Sequence, residues 1–295
     1  MSRNVEVLAE GLGHPEGPDQ LPDGRIVMVE TYTSKIIAWS PDRGIHDYAA
    51  CGGGPNACLL GSDGGLYITQ NGGTVGRWRA ETMVTPSIQR AWPDGRVEYV
   101  TTSVAGISLQ APNDLVFGPD GRLYFTDPSD YLPDEPAVGR LFVLNPDGTG
   151  ELLEEVDNSY PNGIVAEPDG SIVWVESYRG EVFRKRPGEP SELIHVLPDG
   201  HVPDGLKIDT SGNFWITVYS GGGVDVVSKN GTYLDFVPTY GVPCNCLFVG
   251  TDLYVTDFGE GAEVSADAPM IGRLQRVDAG QEGAPFFRGQ IAARA

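Results

Sequence analysis

Six polar side chains, each one or two residues after a proline, have the types needed to hold a hard cation: Glu16, Asn56, Asn113, Asn162, Asp204 and Asn245. Two carboxylates held close together repel, and one is driven toward its protonated form. A divalent cation removes that repulsion. Glu16 and Asp204 would balance its charge, and the side-chain carbonyls of Asn113 and Asn162 would add neutral oxygens. An all-oxygen set favours Ca²⁺, Mg²⁺ or Mn²⁺ over Zn²⁺, which takes His and Cys. Ca²⁺ heads the expectation, and Fe²⁺ is also compatible. Four protein ligands leave positions open for water and substrate, as metal-assisted catalysis requires. The competing role for Asn or Asp ahead of a strand is to cap its own turn. Glu16 is too long to replace Asn in such a cap, and both acids are good hard-cation ligands, so the spacing favours a metal site.

These residues recur at equivalent points of an internal repeat. From Glu16, Asn56, Asn113, Asn162 and Asp204 the chain runs eight residues to a glycine: Gly24, Gly64, Gly121, Gly170 and Gly212. An apolar run lies on each side of that turn, the strongest short-range sign of a hairpin. A looser sixth copy is Pro243-Cys244-Asn245, ending at Asp257. A repeat of about 40 residues marks a propeller or solenoid. The third copy reads as four strands: Leu115–Phe117, Leu123–Thr126, Arg140–Leu144 and Glu151–Val156. The fourth and fifth parse alike, and the last has only three strands at its end. Val5–Glu10 can supply the missing outer strand and close the ring. The expected fold is all-β: a single domain over 1–295, a six-bladed β-propeller with four antiparallel strands per blade.

In that architecture the innermost strands start at the polar residues, which therefore ring the axis on one face. A second ring lies 14 residues on, at Glu30, Gln70, Asp127, Glu176 and Val218. The sixth copy is two residues short at this point and leaves the direction of Asn245 open. The longest loops, Thr74–Trp92, Pro128–Gly139 and Gly259–Ile271, open over the same face, where a lid or binding loop is expected. Gln281–Ala295 reads as a tail, with Phe286 and Phe287 as anchors.

Composition narrows the partners. A net charge of -21 opposes nucleic-acid binding. No apolar run is long enough to span a membrane, and the N-terminus lacks the core of a signal peptide. Four cysteines in 295 residues do not form a disulfide framework. A Cys51–Cys58 bridge is conceivable, whereas Cys244 and Cys246 suit core packing. A cytoplasmic protein with reduced thiols is expected, without a specified oligomeric state. His14 and His201 flank Glu16 and Asp204 and offer two candidate proton shuttles, or solvated loop histidines. His46 and His195 fall on outer strands. There is no Gly-x-Ser-x-Gly elbow. The runs Gly52–Gly54 and Gly221–Gly223 lack the helix or Lys-Ser/Thr of a phosphate cradle.

The motifs Glu16-Gly17-Pro18, Pro112-Asn113-Asp114-Leu115, Phe125-Thr126-Asp127-Pro128, Pro161-Asn162-Gly163 and Pro203-Asp204-Gly205 together resemble the gluconolactonase and senescence-marker-protein family of six-bladed propellers. More distantly, the chain is similar to the diisopropylfluorophosphatase and paraoxonase propellers. The resemblance implies metal ligation by Glu16, Asn162 and Asp204, with Asn113 ligating or binding substrate. It also implies that Asp204 is the base or nucleophile. Asn56 and Asn113 would orient a small lactone or related ester, with Asp127 behind them at the substrate end of the site. Animal sugar lactonases of this family carry Arg two residues before the third-blade Asn, where this chain has Ala111. Two other functions use the same scaffold: phosphotriester hydrolysis at the same cation, and ligand binding around a structural cation.

Overall fold

A computed structural model describes residues 3–259 and 270–293. Ten residues of the long loop at Gly259–Ile271 lie outside the described residues, as do both chain ends. Six four-stranded antiparallel sheets form the blades of a propeller. Each of the first five blades is built from consecutive strands of the chain, counted from the axis outward. The sixth pairs Pro243–Val249, Asp252–Asp257 and Gly272–Asp278 with the N-terminal strand Val5–Leu12. That pairing runs from Val5 opposite Val277 to Leu12 opposite Gly272 and closes the ring.

The hairpin between the first two strands of each blade has one local cause. Gly121 donates to Gly118 O at 3.0 Å, and Arg122 N reaches the Asp120 carboxylate at 3.1 Å. Gly121 has φ +76°, which a side chain would strain. Gly24, Gly64, Gly170 and Gly212 repeat the turn. The second strands are buried along their whole length, Ile26–Glu30 and Leu123–Asp127 among them. Their side chains join those of the flanking strands in apolar clusters packed between blades, such as Phe125 and Tyr67 with Phe117 and Phe142.

One detail departs from the sequence reading. In the second blade the insertion is shorter than Thr74–Trp92, because Ser87–Ala91 is that blade's third strand. A small ribbon, Thr74–Val75 with Trp78–Arg79, stands on the loop that remains. The conceivable Cys51–Cys58 pair is two free, buried thiols. Cys51 points to Ser34 O and Cys58 to Gly17 O, so they face different carbonyls.

The tail is a strap across the face that carries the hairpin turns. Ala284 N bonds Ile208 O at 2.9 Å on the fifth blade. Arg288 pairs with Asp19 and donates to Leu60 O on the first and second blades. Ile291 N reaches Tyr67 Oη at 2.7 Å. Phe286 and Phe287 pack partly buried against the core beneath.

Candidate active site

The axial residues are set in place by two devices. The first is a glycine directly after three of them. A Cβ on Gly17 would lie 2.2 Å from Ala57 Cα, one on Gly163 2.4 Å from Asp204 O, and one on Gly205 2.5 Å from the Asn245 side chain. Only glycine lets neighbouring inner strands approach so closely. The second is a hydroxyl on each second strand or just beyond it. Thr126 donates to Asn162 O at 2.9 Å in the next blade and accepts from Asp114 N at 3.1 Å. Thr69 holds Asn113 O, Thr31 holds Pro55 O, Ser177 holds Pro203 O and Thr217 holds Cys244 O. Each of the first five blades thus fixes the backbone that carries or flanks its neighbour's polar side chain. The sequence signal for these hydroxyls was a threonine 13 residues after the axial position in three copies.

Glu16, Asn56, Asn113, Asn162 and Asp204 line one cavity at the axis, together with His14, Ser177 and an aromatic wall. Among the described residues no Lys or Arg lines it. Burial, then the charges of Asp204 and Asp114, push the Glu16 carboxyl well above its ordinary range, although Gly17 N donates to it at 2.6 Å. Burial also raises Asp204 to about 8, against a hydrogen bond from Asn162 and with a further push from Asp114. Asp204 keeps an accessible edge, and that edge faces the cavity. The Asn162 amide donates to Ser177 Oγ at 3.1 Å, which leaves its carbonyl oxygen for a cation. Asn113 and Tyr160 line the cavity together.

This donor set fits a hard divalent cation. Two desolvated carboxylates with no basic side chain beside them need a positive charge to ionise together. Among the described residues no group of three or more His, Cys, Asp and Glu could hold a metal. Any cation here would therefore rest on two carboxylates plus neutral amide oxygens.

The outer ring turns out to be a set of clamps. Asp127 accepts from Gln110 N and Ala111 N, the latter at 2.7 Å, and does not line the cavity. Gln70 accepts from Gly54 N at 2.6 Å, and Glu30 from Gly13 N at 2.8 Å. Each fixes the loop two or three residues ahead of its blade's axial residue. Asp127 thus holds the backbone ahead of Asn113 and stands apart from the cavity lining. Val218, the apolar member of that ring, is core.

Asn245 faces the axis one layer beneath the cavity. Its carbonyl accepts from Lys207 Nζ at 3.0 Å and its amide reaches Asp114 at 3.4 Å. The Asp114–Lys207 pair, 4.0 Å apart, escaped the sequence reading because its partners lie two blades apart.

The two histidines part company. His201 Nδ1 sits 2.8 Å from Asp225 within the fifth blade, away from the cavity. His14 lines the cavity, edge-on to Phe258 and Tyr32. Burial lowers it to about 3, so it is neutral. His46 and His195 meet Gly44 O and Gly231 O on outer strands. The wall residues Tyr131, Tyr160, Tyr219 and Phe258 were also not foreseen. Tyr131 lies 5.0 Å from Tyr160 and 6.2 Å from Tyr219, and Tyr219 5.6 Å from Phe258. They come from loops of four blades, and nothing in their spacing joins them.

The profile described as SMP-30/Gluconolactonase/LRE-like region matches residues 14–258. A pentonolactonase of Haloferax volcanii is 28% identical, with 94% of each chain covered. A gluconolactonase of Zymomonas mobilis is 25% identical over 84% of this chain and 76% of its own. Among solved structures, a gluconolactonase from Xanthomonas campestris superposes with a TM-score of 0.74 at 22% identity, covering 94% of this chain and 89% of its own. A calcium-binding regucalcin from Agrobacterium tumefaciens gives 0.75 at 18%, covering 100% and 99%. These two structural likenesses concern the fold. No helix among the described residues is long and apolar enough to cross a membrane.

Proposed function

Because the chain belongs to the SMP-30/gluconolactonase/LRE-like family, we propose that it is a lactonase, a hydrolase that opens a small cyclic ester at the axial cavity. The observation that carries this reading is the meeting of Glu16, Asn113, Asn162 and Asp204, from four blades, in a cavity that no Lys or Arg among the described residues lines. Relatives named as gluconolactonase and pentonolactonase support the reaction class.

Glu16, Asp204, Asn113 and Asn162 would hold one divalent cation, Ca²⁺ first, which when bound polarises the ring carbonyl and offsets the charge that develops on its oxygen. Asp204 has the accessible carboxylate edge. It either takes a proton from the attacking water or attacks the carbonyl itself. In the first case the proton stays on an Asp204 oxygen until the ring oxygen leaves with it as a hydroxyl. In the second the ring C–O bond breaks as an anhydride to Asp204 forms, the released alkoxide takes a proton from water, and the hydroxide left opens the anhydride to the free acid and the Asp204 carboxylate. Asn56 and Asn113 hold the ester by amide hydrogen bonds. Asp127 keeps Asn113 in register through the Gln110–Ala111 backbone. The tyrosine wall limits how much water reaches the reacting carbon.

The test is Asp204→Asn, assayed by acid release from glucono-1,5-lactone and a panel of other lactones. A loss of about 10²–10⁴-fold in kcat, with the fold intact by circular dichroism, is expected. Full activity in that variant on a lactone that the unaltered protein cleaves would remove Asp204 from the reaction. A protein that cleaves organophosphate triesters and no lactone would overturn the substrate class.

A further inference from the structure

We propose that the other end of the axial channel is a second binding site, for a neutral, mainly apolar molecule carrying one hydrogen-bond acceptor. A cavity of about 430 Å³ lies there, much larger than the one at Glu16 and Asp204. Its walls come from the far ends of the innermost strands, with Leu59, Val116, Ile164, Val165 and Phe248 among them. Its outer side is the C-terminal strap at Ala284–Phe287. This volume lies within the range of about 300–1,000 Å³ typical of small-molecule sites, which are apolar with a few convergent polar groups.

The polar groups here specify the ligand. Lys207 and Asp114 line the inner end and form an ion pair, so the chamber carries no net charge at that end. An anionic or a cationic guest would face an uncompensated partner of its own sign in a desolvated place. Asp209, at the outer end, is occupied by Trp215, Asn213 and Ser211. The Lys207 ammonium has three N–H groups. Leu206 O and Asn245 Oδ1, each at 3.0 Å, take two of them, and the Asp114 oxygen at 4.0 Å is too far to take the third. A hydroxyl or carbonyl oxygen entering the chamber can accept that remaining hydrogen. The chain behind it would bury against the aliphatic wall. A medium-chain alcohol, ketone or ester matches these terms. The strap closes over it, continuing from the sixth blade and held to the others by hydrogen bonds and the Arg288–Asp19 pair. This proposal does not rest on the lactonase reading.

The probe is N-phenyl-1-naphthylamine, a neutral apolar fluorophore, titrated into the full-length protein. One equivalent should bind with micromolar affinity and blue-shifted emission. 1-Decanol should displace it, whereas decanoate and decyltrimethylammonium at the same concentration should not. Ala166→Phe and Ile208→Trp each fill part of the chamber from a different blade. Either folded variant should bind the probe at least about tenfold more weakly. Absence of probe binding by the unaltered protein means a chamber that holds only water and overturns the proposal. Equal binding by a folded filled variant assigns the probe to the outer surface and does the same. Displacement by decanoate as readily as by decanol refutes the neutral-ligand assignment.

Discussion

Asp204→Asn removes one of two neighbouring buried charges and keeps the shape of the side chain, so its effect on stability without a cation follows from electrostatics. In cation-free protein Asp204 titrates at about 8 against an ordinary 3.8, chiefly through burial. Between those two pH values the folded chain binds a proton that the unfolded chain has lost. Stability is then fully present below about pH 4 and falls as pH rises toward 8. At about 1.4 kcal/mol per pH unit the part of this interval between pH 5 and pH 8 sets a ceiling on the order of 4 kcal/mol. Relaxation and water entering the cavity bring the expected loss to about 2–3 kcal/mol. Glu16 titrates with the same sign and is pushed up in part by Asp204, so the substitution also eases Glu16. Burial raises Asp127 to about 6 and lifts Glu176 and Asp257 as well. These groups are present in both proteins and cancel in the difference. The assay is urea unfolding of chelator-treated protein from pH 5 to pH 8.5. The unaltered chain should lose stability across that range by about 2–3 kcal/mol more than Asp204→Asn. Added Ca²⁺ should restore it at the alkaline end in the unaltered chain and much less in the variant. Parallel pH profiles for the two proteins would refute the claim that Asp204 is a strained, desolvated acid awaiting a cation.

Asp127→Asn places an amide N–H₂ against the Gln110 and Ala111 donors. It should cost about 1.5–3 kcal/mol by thermal or urea melts and raise KM more than it lowers kcat. Thr126→Val leaves Asp114 N without an acceptor and frees Asn162 O. A loss of about 1–3 kcal/mol is expected, together with weaker Ca²⁺ binding by calorimetry, because Asn162 loses its support. Gly163→Ala sets a Cβ 2.4 Å from Asp204 O, between two inner strands that cannot both yield. It should destabilise by about 1–3 kcal/mol and lower activity through displacement of Asp204, and unchanged activity would show that the strands can part.

The propeller was legible in the chain because its information is local. A turn glycine at positive φ, an Asp (Ser211 in the fifth copy) three residues before the next strand and an apolar run on either side act within about ten residues of one another. Six repetitions of that unit, with one outer strand missing at the end and one spare at the beginning, leave a closed ring as the consistent arrangement. The start of each inner strand follows from the same count, so Glu16, Asn113, Asn162 and Asp204 were placed near the axis before any coordinates.

What the side chains touch was not in the repeat. His14 and His201 occupy similar places beside axial acids, yet His201 finds Asp225, 24 residues on, and His14 finds the rings of Phe258 and Tyr32. Asp127 follows Asn113 by the same interval as its counterparts. Only the folded loop shows that its oxygens meet backbone N–H groups ahead of Asn113. The tyrosine wall, the Asp114–Lys207 pair and the chamber under the strap join residues from different blades. Their partners are chosen by the tilt and spacing of whole sheets around an axis. Turn chemistry and periodicity act on neighbours along the chain, whereas these contacts exist only once the ring has closed.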